Sequence, residues 1–280
     1  MTGLVPLAFS RLLLNFNIRR YMSLLFGLLL FGGLSLGGCA TLPPADDLEA
    51  VAEFERLNDP VEPLNRGIHK FNDIMDKALL KPLAITYKFI IPAPLRRLVT
   101  NVLRNLGEPL TLVNDILQGK GKRAGTTLGR FVTNTTIGIG GSFDVATDMG
   151  MERHTEDFGQ TLGVWGLEEG PFIVLPLLGP SNIRDGVGQI GNFYMDPVSI
   201  AISKANVKGL SLGRIAARAI DARYRNLETL RELENSSIDI YATMRSAYRQ
   251  NRRKEVRNGA PLTTEEDFDI FDNFEDFDDE

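Results

Sequence analysis

The sequence predicts a mainly α-helical protein with one domain and an irregular centre. Apolar residues recur at the spacing of one helical face in two stretches, residues 60–136 and 210–256. Between them, Ile137–Gly191 is crowded with glycine, proline and short apolar runs, which predicts turns, half-helices or short strands. The chain holds one cysteine, so no disulfide can form within it and packing must hold the fold together.

Residues 1–38 have the features of a signal peptide for export. Arginines supply positive charge, and the apolar stretch Leu24–Leu36 follows them. This stretch is shorter than the roughly 20 residues that a membrane-spanning helix needs. The alternative is a signal anchor that keeps its helix, and either Met1 or Met22 is the translational start.

The signal ends in a lipobox, the motif for cleavage and lipidation. Leu36, Gly37 and Gly38 stand directly before Cys39, the only cysteine. We predict acylation of Cys39 with three chains, in which each buried methylene contributes about 0.8 kcal/mol to anchoring. Residue 40 is Ala rather than Asp, the usual signal for inner-membrane retention in Gram-negative bacteria. We therefore expect an anchor in the outer membrane, a protein facing the periplasm, and no cofactor or metal beyond this covalent lipid.

Cys39→Ser is expected to leave an unprocessed or mislocalised precursor, because a serine hydroxyl cannot replace the thiol that accepts diacylglycerol. Cell fractionation, with detection of the precursor by its size, measures this. Normal outer-membrane localisation of the variant with processing intact would sink the lipoprotein assignment.

The first long helix follows a polar tether, residues 41–47, and a short predicted helix, Asp47–Leu57. Asp59 and Pro60 offer a capping carboxylate followed by a first-turn proline, and Pro82 is expected to end the helix. Its apolar face is predicted from five residues at helical spacing: Leu64, Ile68, Phe71, Met75 and Leu79.

Further amphipathic helices are predicted along the chain. One follows Pro94, and Pro109–Leu117 and Arg123–Thr133 repeat its pattern. Beyond the centre, a helix over Ser181–Tyr194 is preceded by its serine cap, and Leu210–Val256 is helical almost throughout. Such helices suit the headgroup boundary of a membrane, and the alternative is an ordinary soluble domain that buries their apolar faces.

Charge is divided unevenly between the domain and its tail. The formal net charge is -5, but residues 265–280 hold ten acids and no base. Residues 39–264 therefore have a slight positive balance, which does not favour nucleic acid as a partner. We divide the mature chain into a lipidated segment (39–57), a helical domain (58–257) and an acidic tail (258–280) that is predicted to be disordered.

The residues do not favour an enzyme. Only His69 and His154 are available as imidazole bases or metal ligands, and the only thiol is expected to carry lipid. Gly138-x-Gly140 lacks the third glycine of the dinucleotide fingerprint because Phe143 stands there, and Gly119-Lys-Gly-Lys-Arg-Ala-Gly125 does not fit the Walker spacing. Four aspartates of the glycine-rich turns are predicted to cap backbone NH groups rather than to act as acid and base: Asp144, Asp148, Asp157 and Asp185.

An ordered series of motifs runs through the domain from residue 58 to about residue 250. It includes Asn58-Asp-Pro-Val-Glu-Pro-Leu-Asn-Arg66, Asn105-Leu-Gly-Glu-Pro109, Arg130-Phe-Val-Thr-Asn134, Phe143-Asp-Val-Ala146, Glu156-Asp-Phe-Gly159, Arg184-Asp185 and Asp196-Pro197. Through these motifs the chain resembles the VacJ/MlaA family of outer-membrane lipoproteins. Neither the tether nor the tail belongs to the recognised part.

The resemblance implies both a fold and a function. Proteins of this family form a ring of amphipathic helices that lies within the membrane, with a channel through it, and they associate with trimeric porins. They remove glycerophospholipid that has strayed into the outer leaflet and pass it to a soluble periplasmic carrier, which keeps the two leaflets asymmetric. We therefore expect phospholipid, a trimeric porin and a soluble periplasmic lipid carrier as partners. The alternatives are a structural lipoprotein bound to a porin or the cell wall, and an interfacial lipid hydrolase.

A phospholipid channel needs apolar walls for two acyl tails and a polar strip for the head group. Phe71 and Asn72 of the first long helix are our candidates for its wall. Gly138, Gly140 and Gly141 are candidates for a hinge or a close approach of backbones beside it. The alternative is that Phe71 is a core residue and the glycines are turn residues.

The acidic tail carries a phenylalanine at every third position. We interpret it as a docking segment for the periplasmic carrier, in which the acids steer a basic partner and four side chains anchor it: Phe268, Phe271, Phe274 and Phe277. The alternative is a solubilising extension that binds nothing.

Overall fold

The computed structural model describes residues 58–207 and 209–260, and this part of the chain is mainly helical. Its helices are α1 (Glu62–Met75), a π-helical segment (Asp76–Leu80), α2 (Lys81–Ile90), α3 (Ala93–Asn105), α4 (Glu108–Leu117), α5 (Gly121–Thr136), α6 (Val145–Asp148), α7 (Phe158–Val164), α8 (Ile183–Met195), α9 (Pro197–Ala205), α10 (Leu210–Arg225), α11 (Leu227–Ser236) and α12 (Ile240–Val256). The predicted signal peptide, the lipobox with Cys39, the helix Asp47–Leu57 and the phenylalanines of the tail lie outside the described residues.

The glycine- and proline-rich centre is irregular, as the sequence predicts. It contains the short helices α6 and α7 and an antiparallel hairpin of two strands, β1 (Phe172–Leu175) and β2 (Gly179–Asn182). In the register of the hairpin, Phe172 lies opposite Asn182 and Leu175 opposite Gly179. Gly179 has a φ of 87°, a left-handed conformation that glycine adopts without the strain of a Cβ. The hairpin thus has its glycine where the tight turn requires one.

The prediction that Pro82 ends the first long helix is wrong. α1 leads through the π-helical segment directly into α2, and Pro82 lies in the first turn of α2. In a regular α-helix a proline loses one hydrogen bond and its ring clashes with the carbonyl four residues before it. The wider π turn ahead of Pro82 changes the hydrogen-bonding register there, so the helix continues without a break.

Asp59 is not the cap of α1, contrary to the prediction. The helix begins at Glu62, and its cap residue Val61 makes no side-chain hydrogen bond. Asp59 is instead buried and accepts hydrogen bonds from Asn65 Nδ2 and Arg245 Nη1, both at 2.7 Å. A charge-assisted hydrogen bond to a guanidinium of α12 is stronger than an ordinary cap, which explains why Asp59 binds Arg245 rather than capping α1.

Most of the other predicted helices lie where expected. α3, α4 and α5 follow the periodicity, and Leu210–Val256 divides into α10, α11 and α12. The cap of α8 differs from the prediction because Ser181 belongs to β2. Asn182 is the cap, and its Oδ1 accepts a hydrogen bond from the Asp185 N–H at 2.7 Å.

The helices bury polar residues. Among the described residues, the buried hydrophobic side chains are Ala84, Ala146, Phe172, Val174 and Tyr241, a very small core for a chain of this length. Many more of the buried side chains are polar or charged, including Asn65, Thr100, Asn105, Asn114, Asp115, Thr127, Arg130, Asn134, Thr161, Asp185, Asp221 and Arg252. This is the reverse of an ordinary soluble domain, in which buried residues are mainly apolar.

The apolar faces of the helices point outward. Phe89 on α2 is 90% exposed, Phe193 on α8 is 69% exposed and Leu212 on α10 is 71% exposed. Exposed apolar surface on this scale marks contact with a membrane or with another protein. The alternative of a soluble domain that buries these faces is therefore wrong. No helix in the described ranges is both long and apolar enough to cross a membrane.

Candidate functional site

The polar interior is held together by buried arginines that each contact a carboxylate. The largest such centre joins α7, α8 and α12. Arg252 donates two hydrogen bonds of 2.6 Å to Asp157 and two of 2.8 and 3.0 Å to Asp185, so one guanidinium binds both carboxylates through pairs of hydrogen bonds. Burial alone would raise the pKa of both carboxyls, but the hydrogen bonds from Arg252 hold each pKa below its usual range.

A second centre joins α5 to the turn before α6. Arg130 lies 3.3 Å from Glu108 and 3.0 Å from Asp144. Asn134, one turn after Arg130, donates to Asp144 at 3.0 Å and accepts from the backbone N–H of Ala146 at 2.9 Å. These contacts fix the loop between α5 and α6 against the interior face of α5.

A small cavity of about 10 Å³ adjoins this second centre. Three buried atoms at its wall have no hydrogen-bond partner: Arg104 Nε, Asn105 Oδ1 and Glu108 Oε2. A cavity of this size holds about one water molecule, which could satisfy donors and acceptors of this kind. Burial raises the pKa of the Glu108 carboxyl, because the charges and hydrogen bonds around it only partly compensate for the loss of solvent.

The same pattern recurs at other helix junctions. Arg245 of α12 lies 2.7 Å from Asp59, and Arg223 of α10 donates to Asp76 of the π-helical segment at 2.7 and 2.8 Å. A further pair, Arg214 and Asp196, joins α10 to the start of α9 at 2.7 Å. Buried ion pairs therefore take the place of a hydrophobic core in connecting the helices.

The structure assigns packing roles to two of the three candidate glycines. A Cβ on Gly138 would lie 2.3 Å from the Phe143 carbonyl oxygen and 2.5 Å from that of Asn134. Gly141 has a φ of 86°, and a Cβ there would lie 2.5 Å from Asn105 Cβ. Gly140, with a φ of 65°, has open space around it. Backbone atoms approach closely at Gly138, and the side chain of Asn105 does so at Gly141. The hinge role proposed for all three glycines stays a prediction.

Asn72 and Phe71 occupy different environments on α1. Asn72 Nδ2 donates to the Leu175 carbonyl at 3.0 Å, and its Oδ1 accepts from the Leu177 N–H at 2.7 Å, so this side chain fixes the turn of the hairpin. Phe71 is 43% exposed and is not a core residue. Their role in a channel wall stays a prediction.

Asp144 and Asp157 cap helices, as the sequence predicts. Asp144 accepts from the Thr147 N–H at the start of α6, and Asp157 accepts from the Gln160 N–H at the start of α7. Both carboxylates also bind an arginine of the interior, Arg130 or Arg252, which the sequence did not predict. Asp185 binds Arg252 and is not a cap.

His154 lies in a polar cluster with Asp115 and Thr127. Its Nε2 is 3.0 Å from Asp115 Oδ2 and 3.2 Å from Thr127 Oγ1. A catalytic relay uses the two ring nitrogens for two different partners, whereas here one nitrogen meets both. Asp115, His154 and Glu156 also have the donor types of a metal site, but Arg123 Nη2 lies 2.6 Å from Glu156 and already supplies a cation. We interpret the cluster as structural.

A family model described as MlaA lipoprotein matches residues 57–255. The chain belongs to this family. A Rickettsia bellii protein is 36% identical over 200 residues, which cover 71% of this chain and 77% of the relative. A Haemophilus influenzae protein named intermembrane phospholipid transport system lipoprotein MlaA is 32% identical over 241 residues, or 85% of this chain and 92% of the relative.

The fold agrees with a solved structure of the same kind. A structure described as the structural basis for maintenance of bacterial outer membrane lipid asymmetry superposes with a TM-score of 0.61 at 32% identity. The match covers 69% of this chain and 96% of that one. The comparison confirms the resemblance seen in the sequence and the mainly helical, single-domain MlaA fold.

The residues of the family motifs line the polar interior. This placement was not predicted from the sequence. Arg130-Phe-Val-Thr-Asn134 and Phe143-Asp-Val-Ala146 meet through the contacts of Arg130 and Asn134 with Asp144. Likewise, Glu156-Asp-Phe-Gly159 and Arg184-Asp185 meet at Arg252. The signal that could have revealed this was a set of charged and amide residues inside otherwise apolar helical segments.

Proposed function

We propose that this protein removes mislocalised glycerophospholipid from the outer leaflet of the outer membrane and passes it to a soluble periplasmic carrier. The observation that supports this most strongly is the exposed apolar faces around a charged interior. Membership of the MlaA lipoprotein family and the similarity to named phospholipid-transport lipoproteins agree with it. The lipid on Cys39 would hold the domain at the membrane.

The physical arrangement suits this task. Apolar side chains such as Phe89, Phe193 and Leu212 can contact acyl chains without loss of hydrogen bonds, and each buries area that otherwise faces water. A phospholipid head group costs several kcal/mol to transfer into hydrocarbon, whereas a polar interior supplies hydrogen bonds along its path. The protein therefore lowers the barrier to lipid movement without a chemical reaction.

We propose that transport here is passive and that the protein is not an enzyme. The sequence has no Walker spacing for binding ATP, so the energy for net movement would come from other components. A trimeric porin is the expected neighbour in the outer membrane, and the outward apolar faces offer it a surface. The soluble carrier is the expected acceptor of the lipid.

Mass spectrometry of lipid that co-purifies with the full-length protein tests this function. Intact phospholipid, together with increased outer-leaflet phospholipid in cells that lack the protein, is the expected result. Absence of both would favour a structural lipoprotein bound to a porin or the cell wall. Accumulation of lysophospholipid on incubation with pure phospholipid would identify a lipid hydrolase.

Deletion of residues 265–280 is expected to weaken binding of the periplasmic carrier while membrane insertion and porin association persist. The ten acids of this segment would attract a basic partner, and screening is least at low salt. Carrier affinity of the full-length and truncated proteins should therefore differ more at low ionic strength than at high. Equal affinity of the two proteins at low ionic strength would rule out the docking role.

A further inference from the structure

The arginines of the interior differ in how their charge is neutralised. Six buried arginines each have a nitrogen within 3.3 Å of a carboxylate oxygen: Arg130, Arg184, Arg214, Arg223, Arg245 and Arg252. Within the described ranges, Arg104 and Arg218 have no carboxylate within 4.0 Å. Arg153 reaches only Glu108, at 4.0 Å, and this carboxylate already pairs with Arg130 at 3.3 Å.

Arg104, Arg153 and Arg218, here called the arginine cluster, come from separate elements, and each lies beside the turn between α3 and α4. Arg104 lies in the last turn of α3. Arg218 of α10 lies against Gly107, because a Cβ on this glycine would be 3.0 Å from Arg218 Nη2. Arg153 faces Glu108, the first residue of α4.

The arginine cluster carries more positive charge than the carboxylates near it neutralise. Burial lowers the pKa of the Arg153 guanidinium, and the charge of Arg104 lowers it further. Partial enclosure by neighbouring atoms lowers the pKa of Arg218, and the charge of Arg214 lowers it further. Arginines stay protonated at neutral pH in spite of such shifts, so the cluster retains an excess of positive charge. An anion among these groups would be stabilised by that charge.

The cluster is also accessible to a ligand. The side chain of Arg153 is 32% exposed, and Arg218 of α10, although partly enclosed by its neighbours, stays open to solvent. Guanidinium groups present pairs of N–H donors in a plane, and this geometry matches two oxygens of a phosphate. Arg104 adds a donor atom, Nε, that has no partner in the protein.

We propose that Arg104, Arg153 and Arg218 bind the phosphate of a glycerophospholipid head group beside the turn between α3 and α4. This proposal rests on the proposed function and gives it a recognition site. α10 supports a lipid rather than free phosphate as the source, because Leu212 and Ile215 expose apolar side chains on this helix within two turns of Arg218. The head group would lie at the arginines and the acyl tails along the neighbouring apolar surface.

Calorimetry on the full-length lipidated protein in amphipol tests the site, since no detergent micelle then competes for lipid. The probe is dihexanoyl phosphatidylglycerol below its critical micelle concentration. The double variant Arg104→Gln/Arg218→Gln should bind it about tenfold more weakly or worse, because two charge-assisted contacts are lost. The matched control is Arg231→Gln on α11, whose side chain is 64% exposed, and it should bind like the wild type.

The outcomes separate this inference from the proposed function. Dihexanoylglycerol, which lacks the phosphate, should bind wild type and double variant alike. Equal binding of dihexanoyl phosphatidylglycerol to both proteins would overturn the arginine site while transport stands. If the wild type does not bind dihexanoyl phosphatidylglycerol, the proposal of transport itself is overturned. If inorganic phosphate binds as tightly as the lipid, the arginines form a site for free anions instead. If the double variant fails to fold, by circular dichroism, Arg218→Gln alone is used, and Arg218→Lys should recover part of the affinity.

Discussion

Arg252→Met is expected to lower the free energy of unfolding by about 3 to 5 kcal/mol, the usual loss when one partner of a buried ion pair is removed. Arg252 binds Asp157 and Asp185 with four hydrogen bonds and connects α7, α8 and α12. Methionine keeps most of the side-chain volume but leaves two carboxylates in the interior without their cation. Chemical denaturation followed by circular dichroism measures the loss, and expression at reduced level is expected in cells.

Two comparisons test the reason for this loss. Arg231→Met removes an exposed pair with Glu228 and should change stability by less than about 1 kcal/mol. Because Arg252 lowers the pKa of Asp157 and Asp185, their ionised forms stabilise the wild type above the ordinary carboxyl pKa. This contribution is lost as the pH falls below about 4. The difference in free energy of unfolding between wild type and Arg252→Met should therefore become smaller at acidic pH. A difference that does not depend on pH would contradict the ionic explanation.

Gly138→Ala is expected to destabilise the protein by about 3 kcal/mol or more, although it adds a single methyl group. The new Cβ would lie 2.3 Å from the Phe143 carbonyl oxygen and 2.9 Å from Asn134 Cα, and both are backbone atoms that cannot rotate away. The loop after α5 must then move, which separates Asp144 from Arg130 and Asn134. Loss of thermal stability with loss of lipid binding is the expected result.

Gly140→Ala is the matched comparison two residues away. This glycine has a φ of 65°, but a methyl group added to it would have nothing within 4 Å, so only backbone strain of about 1 kcal/mol is added. If both substitutions lower stability by similar amounts, glycine is needed for the flexibility of the loop and not for close packing at Gly138.

The positions of the helices could be predicted from the sequence, because periodicity reports which residues share a face. α3, α4 and α5 lie close to their expected bounds. Local competition explains the exceptions. Asp59 could form a cap by its position, but Arg245, far along the chain, binds it more strongly, and no local pattern reveals a partner at that distance.

Periodicity could not predict whether the apolar face of each helix points into the protein or outward. An amphipathic pattern states that two faces differ, but water or lipid outside the protein decides which one is buried. On α1 the predicted apolar stripe includes Phe71, which is exposed, while Asn65 is buried. The predicted lipobox at Cys39 and the family motifs were the features of the sequence that favoured a membrane environment over a soluble domain.

Depth-dependent fluorescence quenching tests the inverted arrangement most directly. With Cys39 acylated, a cysteine introduced by Phe89→Cys, Phe193→Cys or Ile215→Cys is the only free thiol and accepts a fluorophore. In bilayers with spin-labelled acyl chains, these three exposed apolar sites should be quenched strongly, and the exposed polar site of Arg231→Cys only weakly. Quenching at the three apolar sites no stronger than at residue 231 would show that these faces do not contact lipid and would contradict the account.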